Sequence, residues 1–244
     1  MRRRNLTELA NNPDLISGIY NYCDRWCERC PLTSRCLVYA AEQEDEDASE
    51  IHDTRNEAFW RKLGSIFQET RELIGGWARD AGVDLTEPAV DDESRYQRKR
   101  QLVDNHPLAR CGKKYANAAS DWFREFDQTI EPGESLEDAR EVIQWYQYQI
   151  AVKTIRALSG RREELEEDPD LPKDSDGSVK VALIGVDRSI AAWRLMQLSL
   201  PERAETIVPL ILQLERLRYR LERGFPDARS FVRPGFDEVL GLAS

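Results

Sequence analysis

Four of the chain's five cysteines stand within fourteen residues, in the run Cys23-Asp-Arg-Trp-Cys27-Glu-Arg-Cys30-Pro31-Leu-Thr-Ser-Arg-Cys36. In a reducing compartment, thiols gathered this closely are metal ligands more often than a disulfide framework. The alternative, unrelated core thiols, sits badly with Arg25, Arg29 and Arg35 in the same run. Those cations would instead offset the charge of several thiolates and lower their pKa. Cys23 and Cys27 are one helical turn apart and face the same way. A continuing helix would carry Cys30 about 10 Å along the axis from Cys23. One zinc ion needs its sulfurs within about 4 Å of each other, so the helix must end before Cys30. Pro31 favours that ending, because it pushes the residue before it out of the helical region. A [4Fe–4S] cluster spreads its thiolates over separate irons and accepts this uneven spacing more readily than one ion does. The expected cofactor is therefore a [4Fe–4S] cluster on Cys23, Cys27, Cys30 and Cys36, with Zn2+ on the same ligands as the alternative.

The segment Cys27-x2-Cys30-Pro31-Leu32-x3-Cys36 resembles the last three cysteines of the iron–sulfur loop in endonuclease III and MutY-type DNA glycosylases. The resemblance implies a [4Fe–4S] cluster. It covers about ten residues, and the glycosylases have a longer gap before their second cysteine. Their Gly-rich helix-hairpin-helix and catalytic carboxylate are missing, so DNA repair is not implied. The spacing Cys23-x3-Cys27-x2-Cys30 is also similar to the radical-SAM signature, but that family places it after a barrel strand and this chain shows no strand pattern.

Elsewhere the chemistry is sparse. Asp187 and Arg188 stand in the middle of the most apolar helical segment, where charges must be paired. Lys153 or Arg156 is expected to answer Asp187, and Asp121 or Glu125 to answer Arg188. A structural ion pair is the plainer reading, and an enzyme site beside Asp187 and Arg188 the sharper one. The two histidines, His52 and His106, lack the Glu-x-x-His pattern of a di-iron bundle and read as surface or capping residues. Cys111 falls on an apolar helical stripe and reads as an ordinary core thiol. No Gly-rich phosphate loop, nucleophile elbow or zinc-protease motif is present.

The elements that must hold the cysteines are helical throughout. The expected fold is all-α: a helical bundle with an N-terminal cysteine-bearing helix and loop. The first helix should carry Ile16, Ile19, Tyr20, Cys23 and Cys27 on one side. A short helix from about Ser34 to Ala41 follows, then the acidic stretch Glu42–Glu50, which marks a boundary between a Cys-rich region (1–50) and a bundle (51–244). Thr54-Arg-Asn-Glu57 and Ser199-Leu-Pro-Glu202 have capping-box spacing. Between them run stripes through Phe59, Leu63, Phe67, Ile74 and Trp77, through Leu108, Tyr115, Trp122 and Phe126, and through Val142, Tyr146, Ile150 and Ala157. Val179–Leu198 is apolar on nearly every side, as a central helix would be. Pro209 is expected to kink the last helix, and the tail from Phe225 to Leu240 to fold back over the bundle.

A hydrophobic fraction of 41% and a charged fraction of 33% suit a globular chain with a solvated surface. The net charge of −10 opposes nucleic acid as a bulk electrostatic partner. The basic clusters at Arg95–Arg100 and Arg216–Arg223 read as solvated helix faces. The apolar runs are too short to span a bilayer, and the opening Met-Arg-Arg-Arg leads into polar residues rather than a secretory core. A cytoplasmic protein with a protein partner, and no membrane, is expected.

Overall fold

The structure, a computed structural model, describes residues 9, 11–43, 57–83, 93–126, 134–163 and 173–237. Seven α-helices and no strand occur among the described residues: α1 (Leu37–Gln43), α2 (Glu57–Ala81), α3 (Glu93–Asp104), α4 (Pro107–Phe126), α5 (Glu134–Glu163), α6 (Asp174–Ser199) and α7 (Ala204–Gly224). The all-α expectation holds. The chain divides into two compact units, one of Met1–Ser17 with Pro31–Ser94 and one of Gly18–Cys30 with Arg95–Ser244.

In the second unit, α4, α5, α6 and α7 close a four-helix ring: α4 packs on α5, α5 on α6, α6 on α7, and α7 back on α4. The stripes predicted for these helices supply its core. Leu108, Tyr115, Ala119, Trp122 and Phe123 enter from α4, and Ile143, Tyr146, Ile150 and Ala157 from α5. Trp193 of α6 stacks on Phe123 and meets Trp122 edge-on, with ring centroids 5.6 and 5.0 Å apart. Its indole N–H donates to the Tyr115 hydroxyl at 3.0 Å. Burial pushes that hydroxyl's pKa up to about 12, so it stays a neutral partner for the indole. The α5–α6 pairing depends on Gly185. A Cβ there would lie 2.8 Å from the Tyr146 ring, so only glycine lets the two helices approach this closely.

Helix α6 is buried along most of its circumference, yet Asp187 and Arg188 keep 38% and 54% of their side-chain surface. The expectation of charges inside a buried helix is corrected here. A helix packed in a ring of four leaves one narrow stripe uncovered, and both residues occupy it. Asp187 pairs with Arg229 at 2.7 Å and Arg218 at 3.3 Å, not with Lys153 or Arg156. Arg188 pairs with Asp24 at 2.9 Å, while Asp121 is taken by Arg124. The tail folds back as expected, burying Phe225 and Ala228, and Lys180 Nζ donates to the Arg229 and Phe231 carbonyls.

Helix ends were harder to place. Ser199 closes α6, and the chain restarts through a 3-10 turn at Pro201–Arg203 with no side-chain cap, so the box at Ser199–Glu202 does not form. Helix α7 runs on through Pro209, which is on its exposed side, where water can serve the carbonyl left without a donor. Gly75 and Gly76 do not interrupt α2. Thr54 and His52 lie outside the described residues.

His106 is a capping residue: its Nδ1 accepts the Leu108 N–H at 3.2 Å, and its carbonyl accepts the Arg110 N–H. Burial, then the Arg161 charge, lowers its pKa below the ordinary 6.5. The unfolded chain thus takes up this proton first. The His106 contribution is complete above about pH 6.5 and is lost as pH falls through the folded value. Thermal midpoints of the wild type and His106→Asn, compared from pH 8 to 5, should diverge in slope, with the variant flatter. His106→Ala should cost about 1 kcal/mol at pH 8.

Candidate metal centre

The segment carrying Cys23, Cys27 and Cys30 is not a helix. Gly18, at φ 72°, opens a 3-10 turn at Ile19–Asn21, and a second 3-10 turn covers Cys27–Arg29. The expected helix through Ile16, Cys23 and Cys27 is replaced by these turns. The spacing of three in Ile16–Ile19 and Tyr20–Cys23 suits a 3-10 turn as well as an α-helix, so it does not separate them. Cys30 is extended, at φ −86° and ψ 122°, as its place before Pro31 requires. Cys36 belongs to the first unit. There a 3-10 turn at Thr33–Arg35 is tied down by the Ile16 N–H on the Arg35 carbonyl, and Cys36 is again extended where it leads into α1. Only the sequence spacing groups it with the other three.

What fixes the segment to the bundle is Asp24. Its carboxylate accepts from the Tyr146 hydroxyl and from Arg188 Nη1, and its carbonyl accepts from Trp145 Nε1 at 2.9 Å and from Gln149 Nε2. Arg188 also donates to the Tyr146 oxygen. Burial, reinforced by the Asp24 carboxylate, holds the Tyr146 hydroxyl far above its usual pKa, so it remains a donor. Two residues on, Trp26 stacks flat on Trp145 at 5.0 Å and meets Tyr146 edge-on, while the Arg29 guanidinium lies over its ring at 4.2 Å. Arg29 itself pairs with Asp138 and Glu141 of α5. On the other flank, the Tyr22 hydroxyl donates to Asp174, and its ring lies where a Cβ on Gly177 would come within 2.4 Å.

The cysteines themselves are all half-buried, and none of the five is in a disulfide. The Cys23 thiol donates to the Tyr20 carbonyl at 3.5 Å. Two residues on, Arg25 has a left-handed backbone, φ 58°, the only such non-glycine residue described. Burial raises the Cys23 pKa, against lowering by the Arg25 amide and charge and by Lys153. Lys153 projects from α5 and donates to the Asn21 carbonyl at 3.2 Å. In kind, the cysteines are half-buried sulfurs on irregular backbone, the donor type that a thiolate-bound metal takes. Among the described residues, however, no three His, Cys, Asp or Glu side chains are gathered round a common point. Cys111 stands apart on α4, partly buried against the core, and accepts from Arg220 Nη1 at 3.1 Å.

Sequence reasoning found the cysteines and missed their supports. Of the three arginines expected to offset thiolate charge, Arg29 is spent on α5 and Arg35 donates to the Asp14 carbonyl, leaving Arg25 at Cys23. Asp24, Trp145, Tyr146, Gln149 and Arg188 come together only in the fold. No family model matches the chain, and no curated protein or solved structure matches it.

Asp24→Ala removes the carboxylate from three donors at once: the Tyr146 hydroxyl, Arg188 and the Trp26 amide. It should lower stability in urea by roughly 1.5–3 kcal/mol, the range for hydrogen bonds to charged groups. Trypsin should then cut after Arg25 and Arg29 well before global unfolding. An unchanged cleavage pattern would mean that Trp26 holds the segment without Asp24.

Proposed function

We propose that the protein holds a [4Fe–4S] cluster through Cys23, Cys27, Cys30 and Cys36, in a redox, sensing or structural role. The observation that carries this reading is the left-handed backbone of Arg25 between Cys23 and Cys27, in a segment whose cysteines are half-buried and whose Arg25 amide and charge favour the Cys23 thiolate. A non-glycine residue in that region costs about 1–3 kcal/mol, and such strain persists where it serves a site. Amide donors on sulfur stabilise the thiolate form that any metal requires. A bound cluster would accept and release single electrons. The chain's own part is to supply sulfurs and hold the loop against α5 and α6. The resemblance of Cys27–Cys36 to the glycosylase cluster loop points the same way.

A second reading, a zinc-stabilised module that docks a protein partner, is favoured by helix α2. Phe67 and Trp77 are 65% and 72% exposed there, with Trp60 and Ile74 also open, which is unusual for large apolar side chains outside an interface. No described helix is long and apolar enough to cross a membrane. An enzyme site near Asp187 and Arg188 has less support, since Asp187 pairs with Arg218 and Arg229 and Arg188 with Asp24, as structural ion pairs would.

The deciding measurement is an absorption spectrum of protein purified without oxygen, with iron, sulfide and zinc quantified on the same sample. A broad visible band with iron and sulfide in equal amounts is expected, and serine at any one of the four cysteines should deplete it. Zinc at one equivalent in a colourless sample would move the assignment to the interaction module. Neither metal would overturn both.

A further inference from the structure

One line of residues along α2 recurs at intervals that alternate between three and four: Trp60, Leu63, Phe67, Thr70, Ile74 and Trp77, all apolar but the threonine. That is the 3.5-residue period of a coiled-coil seam, not the 3.6 of a helix laid on a globular core. Phe59, Ile66 and Leu73 recur every seventh residue on one flank of it, and Gly64, Arg71 and Ala78 on the other. The seam and its apolar flank are open: Trp60, Phe67 and Trp77 are more than half exposed, and Ile66, Leu73 and Ile74 more than a third. Helix α1, the other helix lying wholly in the same unit, does not pack along α2. Most helical stability comes from packing an amphipathic face, so this one is incomplete by itself.

We propose that α2 pairs with α2 of a second copy of this chain, antiparallel, as a two-stranded coiled coil. The inference rests on the second reading above only in taking α2 as a docking face, and it needs no metal. Running the two seams in opposite directions sets Trp60 against Trp77 of the second copy, Leu63 against Ile74, and Phe67 against Thr70. Each contact then occurs twice about a two-fold axis. On the flank, Ile66 meets Leu73 of the second copy, and Arg71 passes over Gly64, which has no side chain to obstruct it. A parallel pair would instead set Ile66 beside Arg71 and waste the apolar flank. The areas agree. Aromatic side chains bury about 150–250 Å2 each, so the exposed part of this face is on the order of 600 Å2 per copy. Two such faces bury about 1,200 Å2, where stable, specific interfaces begin. The far side of α2 mixes Arg61 and Arg79 with Glu69 and Glu72, unlike the cation-rich face of a helix that lies on a membrane.

The test is sedimentation equilibrium of the full chain, under reducing conditions so that no disulfide joins two copies. A reversible dimer is expected. Phe67→Glu should weaken it at least about thirtyfold, the effect of losing a central aromatic anchor. Far-UV circular dichroism should show the helices of that variant retained. Ile66→Glu and Leu73→Lys should each weaken the dimer. Together in one chain they should recover most of the loss, because the antiparallel register brings their opposite charges face to face. A double variant no tighter than the singles overturns the antiparallel pairing. A dimer indifferent to Phe67→Glu associates through another face and overturns the proposal, as does a monomeric wild type. Acrylamide quenching, taken as the difference between wild type and Trp77→Phe, then separates two failures. In a monomer, a readily quenched Trp77 overturns self-pairing and leaves α2 open to a different partner, whereas a shielded Trp77 overturns the docking face as well.

Discussion

The second unit hinges on a single carboxylate. Asp24 is the point at which an irregular, cysteine-bearing segment becomes part of a helical bundle, and its partners come from two helices. Each hydrogen bond is worth little by itself, because water competes for both sides of it. Here the carboxylate, the Tyr146 hydroxyl and the Arg188 guanidinium bond to one another in a triangle, so removing any one leaves two others short of a partner. Trp26 adds apolar area beside the triangle and shields it. The cysteines inherit their positions from this arrangement, since Cys23 and Cys27 flank the Asp24–Trp26 stretch.

A segment of 3-10 turns has few internal hydrogen bonds and cannot hold a shape alone. It keeps one by borrowing rigidity from α5 and α6, whose close approach Gly185 permits. That economy has a chemical side. Loop backbone leaves amides unpaired within the element, and the one on Arg25 favours the Cys23 thiolate. A helix through the same residues would have committed that amide to its own ladder.

The helices were legible because their stripes recur over three or more turns, and the close packing of α4–α7 realises them. Cys30 was legible too, since Pro31 restricts it whatever surrounds it. The loop turns were not, because an apolar spacing of three fits a 3-10 turn as well as an α-helix, and only Gly18 hinted at a break. Ser199 misled for a related reason: capping-box spacing states a possibility, and the end of α6 claimed the residue first. Asp24 and Arg188 look unremarkable in their own surroundings, and nothing local joins them. Lys153 did leave a mark, as one cation among Ile150, Ala151, Val152, Thr154 and Ile155. Its neighbour, however, had to be found in the folded chain.

The distance along the chain between Asp24 and Arg188 sets an order of events during synthesis. Arg188 follows Asp24 by 164 positions. At about 5–20 residues per second, the ribosome delivers the arginine roughly 8 to 33 s after the aspartate. For that interval the thiols have emerged while the surface that seats them does not yet exist. The newborn cysteine segment is a loose, accessible peptide, and it becomes a fixed one only when both α5 and α6 have been made.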